Sequence, residues 1–464
     1  MDSSRVYRSR FLFVLLVMAT ISWIAPRSWG YDGNWPLIFD WTVSVEWAND
    51  ASGLATHTLP SGFHANISDI TPLPKPSYYG MPKEDPKYAA LFTELRAQQR
   101  PMGFMTGNDT SPLYGPKDSG TLAYTLNHFD VNGYKLDYVF VEYEPQFAAN
   151  MIEETHATTD MIRSHANPLI NQARIGEYDI NRTTSMPWMP YPGQGTPERI
   201  AQTNALYDDS GLDVAMPSLY PYESYASHAD ANRWRTTHYN SWDIFKQFPF
   251  YTYENVSPNK RSALFWGPLV KLSDAKLSLP AGHWLIPYLS DFVPDAPTLF
   301  DAPQPPHEDN AALAQHIRLR GADGYLIWRT ASENEALPYP NEQFKADVYA
   351  AWSALDWLFE DAGETPVIMN LATNKSGGIE WSGVATENGV AILVSNLGNS
   401  STTFTIPAIA GHPEYDALLP DSIIVAAGAH QLVFAQVPEP ASSLILVSSG
   451  LFLIRRKTRH GMCS

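Results

Sequence analysis

The chain has 464 residues, 44% of them hydrophobic, and a net charge of −18. That apolar share supplies cores for two or three structural units and excludes a disordered tether. The acidic balance argues against nucleic acid as a partner, and the single cysteine, Cys463, excludes an intrachain disulfide and a Cys-ligated metal or iron–sulfur site.

The N-terminus carries Arg5, Arg8 and Arg10, then an apolar run over 11–24, then Ser28, Trp29 and Gly30. This is the layout of a signal peptide over residues 1–30, with cleavage expected after Gly30. From 31 to 361 short apolar runs alternate with longer polar or helical stretches, the rhythm of βα units. Strands are predicted at 36–39, 102–105, 138–141, 173–176, 214–219, 285–289 and 324–328. A helix is predicted over 309–320, a tight turn at Gly321, and one closing helix over 344–359. The fold class is α/β, a (β/α)8-type barrel, although only seven strands are legible and residues 53–86 give no clear pattern. Pro-rich stretches at 60–86, 186–197 and 287–306 suit loops at the top of the barrel.

Beyond Glu364 the pattern becomes short strands with turn residues between them: 367–371, 378–382, 390–395, 402–406, 422–425 and 431–435. These predict a small antiparallel β-sandwich over 365–436. Residues 437–464 form a tail with a short apolar helix predicted over 441–454. That helix is short for a full span, which needs about 20 residues.

The chemistry concentrates at predicted strand ends. The run 138–141 is β-branched and aromatic and stops at Glu142, Tyr143, Glu144 and Pro145. Residues i and i+2 of a strand share a face, roughly 6–7 Å apart, so two carboxyls project together from the C-terminal end of a buried strand. In an α/β barrel that end carries the active site. Like charges held close divide their pKa values and can share acid and base work. Other strand ends add Asp40, Glu177, Tyr178, Tyr220, Asp291 and Trp328. Acids flanked by aromatics on one rim suit glycoside hydrolysis, which needs one protonated carboxyl and a second group to stabilise an oxocarbenium-like transition state. Glu142 and Glu144 lead as catalytic residues; the other six are read as substrate-binding, with helix capping or Arg pairing the bland alternative for the acids. The histidines lack ligand spacing, so no metal and no cofactor is expected.

Four segments carry a family resemblance over about residues 35–335. Glu142, Tyr143 and Glu144 resemble the Asp-Trp-Glu strand end of hyaluronidase-type barrels. Pro217, Ser218, Leu219 and Tyr220 resemble that family's Pro-Ser-Ile-Tyr strand. Trp284 to Tyr288 resembles the following strand, and Gly321 to Trp328 the Gly-Ala-x-Gly-Val-Val-Leu-Trp ending. The resemblance implies substrate-assisted cleavage of a polymer containing N-acetylhexosamine. Glu144 would be the general acid and Glu142 would orient the acetamido nucleophile, while Tyr220 and Trp328 would form the subsite. The chain departs from the family at Glu142, where the family has Asp. A direct retaining or inverting pair, Glu144 with Glu177 or Asp291, stays open.

At the other end, Pro438, Glu439 and Pro440, the apolar stretch, and a basic cluster beginning at Arg455 and Arg456 resemble the PEP-CTERM sorting signal over 437–459. That resemblance implies signal peptidase and an exosortase as processing enzymes, transient membrane attachment through the tail, and the cell envelope or surface of a Gram-negative bacterium. The expectation is an exported glycoside hydrolase acting on an envelope or extracellular polysaccharide. The alternative is a non-catalytic carbohydrate-binding protein of the envelope or exopolysaccharide matrix.

Overall fold

The computed structural model describes residues 37–40, 63–68, 102–106, 119–141, 151–178, 207, 211–219, 260–289, 307–327, 341–360, 362, 365–374, 378–409 and 413–437. Ten assigned strands form one parallel sheet: β1 (Leu37–Asp40), β2 (Phe63–Ser68), β3 (Met102–Thr106), β4 (Tyr138–Val141), β5 (Arg174–Tyr178), β6 (Val214–Met216), β7 (Ser218–Leu219), β8 (Trp284–Leu285), β9 (Tyr288–Leu289) and β10 (Gly324–Ile327). β6 and β7 are one barrel strand interrupted at Pro217, and β8 and β9 are one interrupted at Ile286 and Pro287. β6 pairs with β8, β7 with β9, β9 with β10 and β10 with β1. The sheet therefore closes on itself as an eight-stranded parallel barrel.

The two prolines explain the breaks. Proline has no N–H to give to the ladder but keeps its carbonyl. The Pro217 carbonyl accepts from Tyr288 N at 2.9 Å and the Pro287 carbonyl from Leu326 N at 2.9 Å. Each wall strand thus stays joined to its neighbour on the acceptor side. The barrel corrects the sequence reading of seven strands: β2 supplies the eighth, inside the stretch 53–86.

Helices cover the barrel: α1 (Ser119–Val131), α2 (Met151–Arg163), α3 (Pro168–Asn171), α4 (Lys260–Ser278), α5 (His307–Arg318), α6 (Asn341–Ser353) and α7 (Asp356–Phe359). Strand residues alternate between this layer and the lumen. Val139, Ile175, Ala215, Leu285 and Ile327 join the helix-facing core with Leu126, Phe129, Ile317 and Val348. α5 has Glu308 and Asp309 in its first turn and Arg318 in its last, each favoured by the helix dipole. Gly321, at φ +84°, then turns the chain into β10.

The single closing helix expected over 344–359 is two. α6 ends at Ser353, and Arg318 of α5 explains the stop. Its guanidinium donates to the Trp352 carbonyl and, at 2.6 Å, to the Asp356 carboxylate. One cation thus caps the end of α6 and fixes the start of α7.

The C-terminal strands form a four-stranded antiparallel sheet of β11 (Val367–Ile368), β12 (Ile379–Thr386), β13 (Gly389–Asn396) and β16 (His430–Gln436), in that order. A two-stranded sheet of β14 (Thr402–Thr405) and β15 (Ser422–Val425) accompanies it, with a short helix, α8 (Pro413–Asp416). β13 is buried on both faces. Val390, Ile392 and Val394 pack with Ile409, Tyr415, Leu419 and Val425. Ala391 and Leu393 face the other way, into the core shared with the barrel helices. The β12–β13 hairpin is held down by Asn388, whose Nδ2 donates to the Glu360 carbonyl at 2.7 Å.

Candidate functional site

All barrel strands run parallel, so their C-terminal ends lie on one rim. β1 ends at Asp40, β4 at Val141, β5 at Tyr178, β7 at Leu219, β9 at Leu289 and β10 at Ile327. The structure brings these six ends together. Glu142, Glu144, Tyr220, Asp291 and Trp328 follow four of them in sequence and lie outside the described residues, as does the sorting tail beyond Val437. Asp40 and Tyr178 are described as strand backbone; Asp40 stands in register with Ile327, and Tyr178 with Met216.

Glu177 is described in full. It follows Ile175 on the same side of β5, the side that joins the helix-facing core, and its side chain is 0% exposed. Alternation therefore puts this carboxyl behind the barrel wall, between sheet and helices, and not in the lumen.

Described side chains of β4, β5, β6 and β8 pack together in the lumen below the rim. Tyr138 of β4 stacks on Phe140, centroids 5.9 Å apart, and meets Trp284 of β8 at 6.3 Å. β4 and β8 are separated around the wall by β5 and β6, so this contact crosses the lumen. The guanidinium of Arg174 lies 4.4 Å from the Trp284 ring centre, a cation–π contact near the N-terminal end. Gly176 leaves the space these groups need. A Cβ there would come within 2.6 Å of Met216 Sδ and 3.1 Å of both Phe140 Cδ1 and Val214 Cβ. Among the described residues this packing forms a floor beneath the mouth.

Perturbed acids do not mark the mouth among the described residues. Asp323 is raised to about 6 by burial, with Lys276 and the Leu285 N–H holding it partly down. It precedes β10, at the opposite end of the barrel. There its Oδ2 accepts from Leu285 N at 2.8 Å. Asp213, which precedes β6, does the same to Ile175 N at 2.8 Å and also takes Arg163 Nη2 at 2.5 Å. These aspartates tie neighbouring strands at the closed end, a structural role. Among the described residues no group of three or more His, Cys, Asp or Glu could hold a metal ion, and no helix is long and apolar enough to cross a membrane.

Sequence reasoning missed a buried polar cluster between α5 and the C-terminal sheet, built from Arg320, Glu380, His316, Ser382, Ser395, His430 and Asp309. Its members are spread over more than a hundred residues of chain, so no local spacing announces them.

No protein-family model and no curated protein matches the chain. Solved structures that superpose on it include an Anoxybacillus α-amylase, with a TM-score of 0.48 at 9% identity, covering 88% of this chain and 99% of that one. AmyP in complex with maltotriose gives 0.46 at 10% identity, covering 88% and 98%. The family 30 subfamily 8 xylanase Xyn30A of Clostridium acetobutylicum gives 0.39 at 10%, covering 88% and 97%. Likenesses at this level carry no functional argument; the barrel rests on its own strand pairing.

Proposed function

We propose that the chain is an exported glycoside hydrolase that works at the C-terminal rim of its barrel on an N-acetylhexosamine-containing polysaccharide of the envelope or surroundings. The observation that carries this reading is the end of β4. A closed parallel barrel delivers that strand to the rim one residue before Glu142. Tyr138 and Phe140 of β4 face the lumen, and in this proposal Glu142 and Glu144 share that side by their even numbering. In this proposal Glu144 is the general acid and Glu142 orients the acetamido group, with Tyr220 and Trp328 shaping the subsite. Asp40, Tyr178 and Asp291 supply further contacts at the mouth; the burial of Glu177 behind the wall makes it the weakest of the eight candidates.

The test is hydrolysis of a panel of N-acetylhexosamine polysaccharides by the wild type and by Glu144→Gln. A lost general acid costs about 10²–10⁴-fold in rate, with an unchanged circular dichroism spectrum. A variant that keeps full activity removes Glu144 from the mechanism. Wild-type binding to the same glycans without cleavage would instead support the non-catalytic carbohydrate-binding reading, which the Asp-to-Glu departure at Glu142 favours.

The proposal keeps residues 1–30 as a signal peptide. It also keeps 437–459 as a PEP-CTERM tail cut near Pro438, Glu439 and Pro440, with Arg455 and Arg456 left at the cytoplasmic side. Mass spectrometry of the exported chain checks both: it should begin at Tyr31 and lack the basic cluster.

A further inference from the structure

An unbroken line of hydrogen bonds crosses the seam between the barrel and the C-terminal sheet. Arg320 Nε donates to Ser382 Oγ at 2.8 Å, and that oxygen lies 2.9 Å from His316 Nδ1. His316 Nε2 is 2.8 Å from Ser395 Oγ, which is 2.7 Å from His430 Nδ1. His430 Nε2 is 2.8 Å from Asp309 Oδ1. Arg320, His316, Ser382, Ser395 and Asp309 are buried. The order Asp309, His430, Ser395 is that of a nucleophilic triad, but Ser395 lies in β13, a strand buried on both faces, out of reach of any substrate.

The hydrogens along this line can be assigned, because each hydroxyl owns only one. Arginine can only donate, so Ser382 receives from Arg320 and its own hydrogen goes to His316 Nδ1. That nitrogen is then bare, and the hydrogen of His316 sits on Nε2 and points at Ser395. Ser395 passes its hydrogen to His430 Nδ1. His430 carries its hydrogen on Nε2 and gives it to the Asp309 carboxylate. Every donor and acceptor in the row is used once, and the row runs one way, from a cation to an anion.

An added proton on either histidine breaks this order. On His316 Nδ1 it makes Ser382 accept twice and strands the Ser382 hydrogen. On His430 Nδ1 it strands the hydrogen of Ser395, or reverses His316 and again strands that of Ser382. A stranded hydrogen in a buried site is costly.

We infer that His316 and His430 are both neutral with their hydrogens on Nε2, and that the row is an acid-labile latch holding the C-terminal sheet against the barrel. The charged and titratable groups around His316 come from each element packed on it. Arg320 lies beyond α5 with Glu380 of β12 as its partner, and His430 of β16 is backed by Asp309 of α5. β13 contributes Ser395 and α4 the uncharged ring of Phe265, whose edge contact has centroids 5.7 Å apart. Burial first, then the neighbouring Arg320 cation, holds His316 well below its usual 6.5. A histidine depressed in the folded state is protonated first in the unfolded chain. Its contribution is therefore complete above pH 6.5 and is lost progressively as pH falls below that value.

Two measurements on the full chain test the latch. Nitrogen-15 NMR of the imidazoles at pH 7.5 should show both Nδ1 atoms bare and both Nε2 atoms protonated; a hydrogen on His316 Nδ1 overturns the assignment. Hydrogen exchange at pH 7.5 and pH 5, corrected for intrinsic rates, should show a loss of about tenfold or more in protection of β12 and β13. That loss should exceed any in β3 and β4. Equal protection at both pH values, or a uniform loss across the chain, overturns the latch. His316→Gln cannot titrate and should shrink the acid step; a variant whose step equals that of the wild type refutes the role of His316. Should that variant fail to fold, the wild-type NMR pattern decides alone.

Discussion

Removing one partner of the Arg320–Glu380 pair gives a quantitative handle on the seam. Arg320 Nη2 donates to Glu380 Oε1 at 2.5 Å, with side chains 0% and 1% exposed. Burial pushes the Glu380 carboxyl up and the Arg320 guanidinium down, and each partner pulls the other back toward its charged form. At an effective dielectric of about 20, unit charges about 4 Å apart attract by roughly 4 kcal/mol. Breaking a buried pair on one side costs about 3–5 kcal/mol because a charge is left uncompensated. Glu380→Gln keeps an oxygen near the guanidinium and should sit at the lower end, about 3 kcal/mol. Arg320→Met should cost more. Arg320 also donates to Ser382 Oγ, Ser273 Oγ and the carbonyls of Leu371, Ala372 and Trp381, and all of these would lose it at once. Urea unfolding followed by tryptophan fluorescence, with the double variant closing the cycle, reads the costs. The coupling between the sites should exceed about 1 kcal/mol, as for contacting residues in one network. A smaller coupling, or an Arg320→Met cost below that of Glu380→Gln, refutes the reasoning.

Asp323→Asn should flatten the pH dependence of stability. The Asp323 carboxyl titrates at about 6 in the fold, against 3.8, so the folded state holds its proton more tightly. Stability therefore falls as pH rises from about 4 to 6, by about 3 kcal/mol. Asparagine removes that slope and still accepts from Leu285 N; a variant whose urea midpoint keeps the wild-type slope over that window contradicts the assignment. Gly321→Ala combines a left-handed backbone with a Cβ 2.5 Å from Ile368 Cδ1 and 2.8 Å from Lys276 Cε. The backbone cost is about 1–2 kcal/mol and the overpacking about 1–3, so a measured loss under 1 kcal/mol would show that the turn relaxes. Gly176→Ala faces Met216, Phe140 and Val214 with ordinary backbone angles. It should cost about 1–3 kcal/mol, visible in the same denaturation assay, and an unchanged midpoint would mean that Met216 swings aside.

The barrel was legible where strands are buried on both sides. The run Tyr138–Val141 falls where the sequence places it. β2 was not legible because Phe63, Ala65 and Ile67 alternate with His64, Asn66 and Ser68 in a stretch rich in Pro and Gly, which reads as loop. Arg318 split the expected closing helix, through contacts 34 and 38 residues away that periodicity does not carry. At the candidate site, strand ends and acids could be read from order alone, but the side to which each points could not. Glu177 shows this: counting places it at a rim, and the alternation set by Ile175 turns it behind the wall.

The bond from His430 to Asp309 spans 121 residues of chain, and this constrains the order in which the molecule can be made. β10 must reach back to β1 before the barrel closes, and the helix that precedes β10 finds part of its buried partners in strands that follow it. A ribosome that has delivered every barrel strand has therefore not yet delivered all that covers α5. Ala391, Leu393 and His430 come later, the last of them in the final strand described. Long-range closure of this kind is slow and leaves apolar surface open while it waits. A chain with this layout stays unfinished until its last strand arrives.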